Sequence, residues 1–350
     1  MKMSETMMRV TLVQPKTLVI GEAPIPAPGK DEVLIKVLRV GVCGSDPTIY
    51  YGRHPYVTYP VVMGHEFSGT IAGIGKEVRG FTSGDRVAVI PHLVCGACEP
   101  CQTETYNFCE KLRCTGAEAD GAHAQYICMP ARMVMRIPDA MTLDDAAMVE
   151  PACVAYHGAR RGEIRASDTV LIVGAGPIGI FCMQSCKALG AKRVLIADRD
   201  GERLKLAAEL GADGVVDVSK ETLAAGLTRL AGGPHAVDVF YDCVGEKGTV
   251  LDIIIQLARR GTRIVIVGVL QNGYNIPHLP DFVQHELRLS GTTMYVPQDY
   301  RDMLDLMGKG RIRTAGMITH YFKLAEIQKV FDLIEKGQEK FFKIMMTVNE

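Results

Sequence analysis

The stretch Val170-Leu-Ile-Val-Gly-Ala-Gly-Pro-Ile-Gly179 narrows the possible folds more than any other part of the chain. Val170–Val173 reads as a short buried strand. Gly174, Gly176 and Gly179 then open a helix with Ile178, Phe181, Cys182 and Leu189 along one side. A G-x-G-x-x-G match alone is weak evidence. Here it follows a strand, begins a helix, and precedes Arg193-Val-Leu-Ile-Ala-Asp198, a second strand whose closing acid lies 19 residues after Gly179. That combination describes a βαβ unit for a dinucleotide: glycine lets the backbone approach a pyrophosphate, and free N–H groups at the helix N-terminus meet its charge. Gly174, Gly176, Pro177, Ile178 and Gly179 are expected to form this cradle. Asp198 is expected to accept hydrogen bonds from the adenosine ribose, which favours NAD over NADP because a 2′-phosphate would meet like charge. Arg199, beside the acid, is the residue able to pair with such a phosphate. Arg203, one turn on, belongs either over the adenine side or on a solvated surface.

Strands continue to alternate with helical or loop stretches, at Val215–Asp217, Val237–Tyr241, Arg263–Val267 and Glu286–Leu289, as a doubly wound sheet requires. Ligands of open α/β sheets bind at the carboxyl ends of strands. The loops Asp242–Gly245 and Gly268–Leu270, with Val244 and Val267, are therefore expected to face the nicotinamide. Residues 9–90 read differently. Val33, Ile35 and Val37 alternate, Phe67–Ile74 is β-rich with glycines, and Arg86–Ile90 follows the turn Ser83-Gly84-Asp85. Helix signals begin only after Asp139, where Leu143, Ala146, Ala147 and Val149 suggest a helix ending near Glu150-Pro151. The fold class expected is α/β, with a β-rich domain over 1–150 and 291–350 interrupted by a dinucleotide-binding domain over 151–290. At 350 residues, two cores are the natural count.

Two clusters point to metal. Cys95-Gly-Ala-Cys98-Glu-Pro-Cys101 is followed by Cys109 after seven intervening residues, and four thiolates so spaced suit a closed tetrahedral zinc with a structural role. Cys43 and Gly64-His65-Glu66 supply a thiolate, an imidazole and a carboxylate from two turns, donors that zinc accepts alike. Three protein ligands would leave a fourth position for substrate. The chain holds eleven cysteines, yet with no export signal at the N-terminus a disulfide framework is not expected. Cys114, Cys128, Cys153, Cys182, Cys186 and Cys243 are read as core filling. A net charge of −1 gives no reason to expect nucleic acid or an anionic membrane as partner, and no run is long enough to span a bilayer, so a cytoplasmic location is expected.

Taken together, Gly41-Val-Cys-Gly-Ser-Asp46, Gly64-His-Glu66, Val78–Val87, the four-cysteine loop, Glu150-Pro151, the glycine turn and Ile318-Thr-His320 resemble the zinc-dependent medium-chain alcohol and polyol dehydrogenases over the whole length. Within that family the chain is most similar to the branch acting on sorbitol, threonine and sugar acids, in which the third ligand position is Glu; here that position is Glu150. The resemblance implies a GroES-like catalytic domain and a Rossmann domain with the active site in the cleft between them. It also implies one catalytic and one structural zinc, NAD, and a homodimer or homotetramer. It assigns Cys43, His65 and Glu150 to catalytic zinc, with Glu66 as an intermittent ligand. Ser45 is placed to take the alcohol proton. The family often continues the relay to a histidine where this chain has Thr48, so Thr48, water, His54 or His157 is left to carry the proton out. Asp46 either holds the far nitrogen of His65 or simply forms the turn before Pro47. Where sorbitol-type enzymes usually carry an arginine this chain has Met294, so the expected substrate is a secondary alcohol of a polyol or sugar acid rather than sorbitol in particular. The alternatives are an amino alcohol such as threonine and a noncatalytic nucleotide-binding zinc protein.

Overall fold

The computed structural model describes residues 5–245, 249–270, 275–276 and 278–349. The first four residues of the expected β-rich domain, and Glu350 at its end, lie outside these. The chain divides into two units. One takes in the chain up to Glu150, Val296–Gly308 and Ile318 onward; the other takes in Pro151–Tyr295 and Lys309–Met317. The expected return near 291 compares with Val296. Within the second unit, the Gln184 side chain both donates to the Arg313 carbonyl (3.0 Å) and accepts from the Arg313 amide (2.8 Å), which ties in the segment around Arg313.

The first unit is built on a seven-stranded sheet in the order 318–323, 343–347, 32–41, 66–74, 86–89, 134–136, with 126–130 added beside 32–41. Its central strand, Glu32–Gly41, buries Val33, Leu34, Ile35, Val37 and Val40, so it is covered on both faces rather than alternating cleanly. Antiparallel register sets Gly41 opposite Glu66 on one side and opposite Met345 on the other. This pairing brings the start of the Cys43 turn, the Gly64–Glu66 turn and the C-terminal strand to one place.

The second unit is a six-stranded parallel sheet ordered 214–217, 193–198, 169–173, 239–242, 263–266, 288–291. The order reverses at Thr169–Val173, the strand that leads into the glycine turn, and such a switch point is where dinucleotides bind. The core between sheet and helices includes Leu171, Leu195, Phe240, Leu251, Ile254 and Ile264, all fully buried. Buried Arg263, at the start of the strand 263–266, pairs at 2.7 Å with Asp168, just before the strand Thr169–Val173.

One expectation is corrected. The helix foreseen to end near Glu150-Pro151 stops at Ala147, and a new helix, Val149–Arg161, begins at once. Proline in a first helical turn removes an N–H that would have no partner anyway, so Pro151 marks a start and not a stop. Glu150 thereby sits in the first turn of the second helix.

Candidate active site and metal centres

The four-cysteine loop closes on itself. Cys98 Sγ lies 3.4 Å and Cys95 Sγ 3.8 Å from Cys101 Sγ, and the Ala97 and Cys98 amides donate to Cys95 Sγ at 3.5 and 3.4 Å. Sulfurs on a tetrahedron of radius ~2.3 Å stand about 3.8 Å apart, so the spacing fits zinc. The two amides and the Cys98 thiol hold the Cys95 thiol down to about 6, whereas burial and the neighbouring thiols push Cys101 up to about 12. Cys95, Cys98, Cys101 and Cys109 form one of two groups among the described residues whose donor atoms lie close enough to share an ion.

The other group is Cys43, His65 and Glu66, whose donor atoms lie within 4.8 Å of one another. Cys43 follows the central strand directly, and His65 precedes the strand Glu66–Ile74 that pairs with it, so strand register delivers both. Gly64 turns the chain at φ +93, a conformation that glycine adopts freely. Asp46 is fully buried; its Oδ2 accepts from the Cys43 amide at 2.8 Å, and its Oδ1 lies 3.9 Å from His65 Nδ1, beyond hydrogen-bond length. The turn role is thus directly formed. Asp46 also faces the Nδ1 side of His65, which leaves Nε2 to point elsewhere.

Glu66 is 1% exposed and makes a buried ion pair with Lys343, itself 4% exposed and reaching in from the C-terminal strand. Gly41 makes room for the pair: a Cβ there would lie 2.3 Å from Glu66 Oε2 and 3.2 Å from Lys343 Cε. Sequence reasoning missed Lys343. The available signal was a lone lysine opening the apolar run Lys343-Ile-Met-Met. Burial alone would lower the Lys343 pKa, but Glu66, Cys43 and Asp46 outweigh it and raise it. His65 behaves in the same way, its burial overcome by Cys43, Asp46 and Cys114. A buried cluster that raises the proton affinity of its own imidazole and ammonium is electrostatically suited to a cation, and its S, N and O donors fit zinc.

Glu150 is not among the 4.8 Å group. It is 7% exposed, and its charge acts on the Cys114 thiol, as do those of His65 and Cys43. Burial and the Glu150 and Cys43 charges, against the pull of His65, push that thiol up to about 12. Cys114 therefore borders this cluster, whereas Cys153, Cys182 and Cys186 are wholly buried core residues; none of the four is in a disulfide. Ser45 ends the Cys43 turn and starts the short helix Asp46–Tyr50 without capping it through its side chain, and Thr48 is half-buried one turn on. His54 lies in the following loop of the same unit, and His157 lies on the helix Val149–Arg161 in the other.

In the second unit the glycine turn has the geometry expected of a phosphate cradle. Gly174 sits at φ +101, and a Cβ on Gly179 would fall 1.7 Å from the Gly174 carbonyl oxygen, so only glycine lets the helix Pro177–Ala188 pack this close. Gly176 caps that helix with Pro177 and Ile178 in its first turn. Asp198 accepts from the Ala175 amide (2.6 Å) and the Asp200 amide (2.9 Å), which holds the acid against the turn. The Arg203 guanidinium lies 3.9 Å from where a Gly176 Cβ would be, while Arg199 is exposed. The loops carrying Val244 and Val267 meet backbone to backbone: a Cβ on Gly245 would lie 2.6 Å from the Gly268 carbonyl carbon.

Residues 29–139 match the alcohol dehydrogenase GroES-like domain, and residues 177–309 match the zinc-binding dehydrogenase domain. The D-arabitol-phosphate dehydrogenase of Enterococcus avium is 33% identical over 99% of both chains, and the L-galactonate-5-dehydrogenase of Escherichia coli is 34% identical over 91% of this chain and 92% of its own. The solved structure of an E. coli CFT073 alcohol dehydrogenase, rspB, in complex with NADH superposes with a TM-score of 0.90 at 32% identity, covering 98% of this chain and all of that one. No helix among the described residues is long and apolar enough to cross a membrane. A GroES-like β-rich domain, a parallel sheet with a glycine-rich switch point, and full-length likeness to polyol and sugar-acid dehydrogenases lead to one conclusion: the chain belongs to the zinc-dependent medium-chain alcohol dehydrogenase family and is an oxidoreductase.

Proposed function

We propose that the enzyme transfers hydride between NAD and a secondary alcohol of a polyol or sugar acid. The observation that carries this reading is the grouping of Cys43, His65 and Glu66 within 4.8 Å, because three different donor types converge there, His65 and Glu66 buried and Cys43 half-buried. The polyol and sugar-acid names of the relatives support the substrate class. Cys43, His65 and Glu150 would hold the catalytic zinc, and Cys95, Cys98, Cys101 and Cys109 the structural one. Bound at the first site, zinc supplies Lewis acidity that makes an alcohol hydroxyl more acidic, and NAD⁺ supplies the hydride acceptor.

The chain's own residues do the rest. Ser45 Oγ receives the hydroxyl proton and passes it outward through Thr48. Glu66 rests on Lys343, and with a metal held at Cys43 and His65 it would have a second cation within reach, as an intermittent ligand. Asp198, held by two backbone amides, receives the adenosine ribose hydroxyls, and the N-terminus of the helix Pro177–Ala188 takes the pyrophosphate. Arg203 lies over Gly176 and serves the same end of the cofactor. Val244 and Val267 border the nicotinamide.

The test is a panel of polyols, aldonates, amino alcohols and simple alkanols with NAD⁺ and with NADP⁺, read by reduced-nicotinamide absorbance. Activity on polyols or aldonates with NAD⁺ preferred is expected. Turnover of threonine or simple alkanols alone would overturn the reading.

A further inference from the structure

The strand Val239–Asp242 ends on a residue that holds two loops at once. Asp242 Oδ1 accepts from the Val244 amide (2.9 Å) and the Gly245 amide (3.0 Å), and the Asp242 carbonyl accepts from the Val267 and Gly268 amides, both at 2.9 Å. The side chain therefore folds the loop 243–245, while the backbone anchors the loop that follows the neighbouring strand 263–266. These loops cross with no side chain between them: a Cβ on Gly268 would lie 2.4 Å from the Gly245 nitrogen, and one on Gly245, itself at φ +67, would lie 2.5 Å from the Val269 carbonyl oxygen. The loop 243–245 also rests on the glycine turn. The Cys243 amide donates to the Val173 carbonyl (2.9 Å), and a Cβ on Gly174 would lie 2.9 Å from Val244 Cγ2.

Asp242 is fully buried, and its Oδ2 has no hydrogen-bond partner among the described residues. A carboxyl with one oxygen stranded out of water is a costly way to end a strand, and an apolar residue would fill the place without that penalty. Burial raises the Asp242 pKa, with the Gly245 and Val244 amides pulling the other way. What offsets the cost is Oδ1, whose two amides fix where Val244 stands: 41% exposed, at the carboxyl end of the sheet and against the glycine turn. Asp198 ends the strand 193–198, on the opposite side of the switch strand Thr169–Val173. The two ends of the cleft are thus held by separate acids.

We propose that Asp242 is a positioning residue for the nicotinamide half of the cofactor, acting through the crossed loops that carry Val244 and Val267. This rests on the function proposed above, in which those two valines border the nicotinamide, and it divides the labour between two acids. Asp198 governs the adenosine end by direct contact, and Asp242 governs the ring end through backbone it never leaves.

The full-length wild type, Asp242→Ala, Asp242→Asn and Gly245→Ala are titrated by calorimetry with NADH and, separately, with AMP. Leaving a buried donor unmatched is worth about tenfold in affinity, so Asp242→Ala should bind NADH about tenfold more weakly while AMP binding stays within about twofold of wild type. Asparagine keeps an oxygen for the same two amides, and Asp242→Asn should restore NADH binding to within about threefold of wild type. Gly245→Ala leaves the carboxyl in place and wedges the crossing apart; it should show the same selective loss, and it decides the matter if Asp242→Ala does not fold. Wild-type NADH affinity in Asp242→Ala or Gly245→Ala, equal loss of NADH and AMP, or no rescue by asparagine would each overturn the role given to Asp242 while leaving the proposed function standing. A wild type that binds NADH no more tightly than AMP would instead overturn the proposed function's use of this cofactor.

Discussion

Lys343→Met should weaken the zinc-free protein far more than the zinc-bound one. Both partners of the Lys343–Glu66 pair are almost entirely out of water, at 4% and 1% side-chain exposure. Removing one member of a buried pair strands the other charge, at a cost of about 3–5 kcal/mol. In a unit of this size, 1 kcal/mol moves the melting temperature by about 2–4 °C, so the zinc-free variant should melt roughly 6–20 °C below wild type. Once zinc is bound, Glu66 has a second cation within reach, and the deficit should shrink to a few degrees. The double variant Lys343→Met/Glu66→Gln removes both charges together and should recover part of the loss.

The pH dependence has a definite sign. The folded pKa of Lys343 is raised, so the pair's contribution is complete below the unfolded lysine value of about 10.4 and fades as pH climbs through the higher folded value. The gap between wild type and Lys343→Met should accordingly be flat from neutral pH to about 10 and then narrow. The assay is calorimetry or circular dichroism after dialysis against chelator, repeated with zinc restored. A zinc-free melting temperature within about 2 °C of wild type would refute the reasoning, as would a deficit equal with and without zinc.

Two further outcomes follow from the same geometry. Cys101→Ser removes one corner of the sulfur tetrahedron; metal analysis should find one zinc fewer per chain, and limited proteolysis should cut within 95–109 at sites protected in the wild type. Asp198→Ala removes the acid that holds the Ala175 and Asp200 amides; titration calorimetry should show NADH binding about tenfold weaker, with NADP⁺ affected less because its 2′-phosphate no longer faces a carboxylate.

What could be read from the sequence was whatever its neighbours in the chain determine. The cradle of Gly174, Gly176 and Gly179 lies within a single strand–turn–helix, and the four-cysteine loop within fifteen residues. Local chemistry fixes both. The helix break at Met148 was less legible: Leu143–Ala147 and Val149–Arg161 present a nearly continuous apolar pattern, and Pro151 marks a stop or a start depending on which turn it occupies. Cys43 and His65 were identifiable by type, but the reason they meet lies in the antiparallel register that sets Gly41 against Glu66.

Lys343 could not be read in this way, because its partner lies far away in sequence. Lys343 reaches Glu66 only because two strands distant in sequence flank Gly41, and a lysine opening an apolar strand is otherwise read as the residue that ends its burial. Glycines such as those at 116 and 121 signal turns in any sequence. Their packing shows a different cause. Each touches the backbone of Gly64, itself at positive φ, so the three glycines form one close crossing that side chains would force apart. A methyl group at Gly116 or Gly121 would push this segment away from the Gly64 turn that leads into His65 without altering a single donor atom. The sequence therefore names the ligands, whereas their spacing depends on residues with no side chain to signal a role.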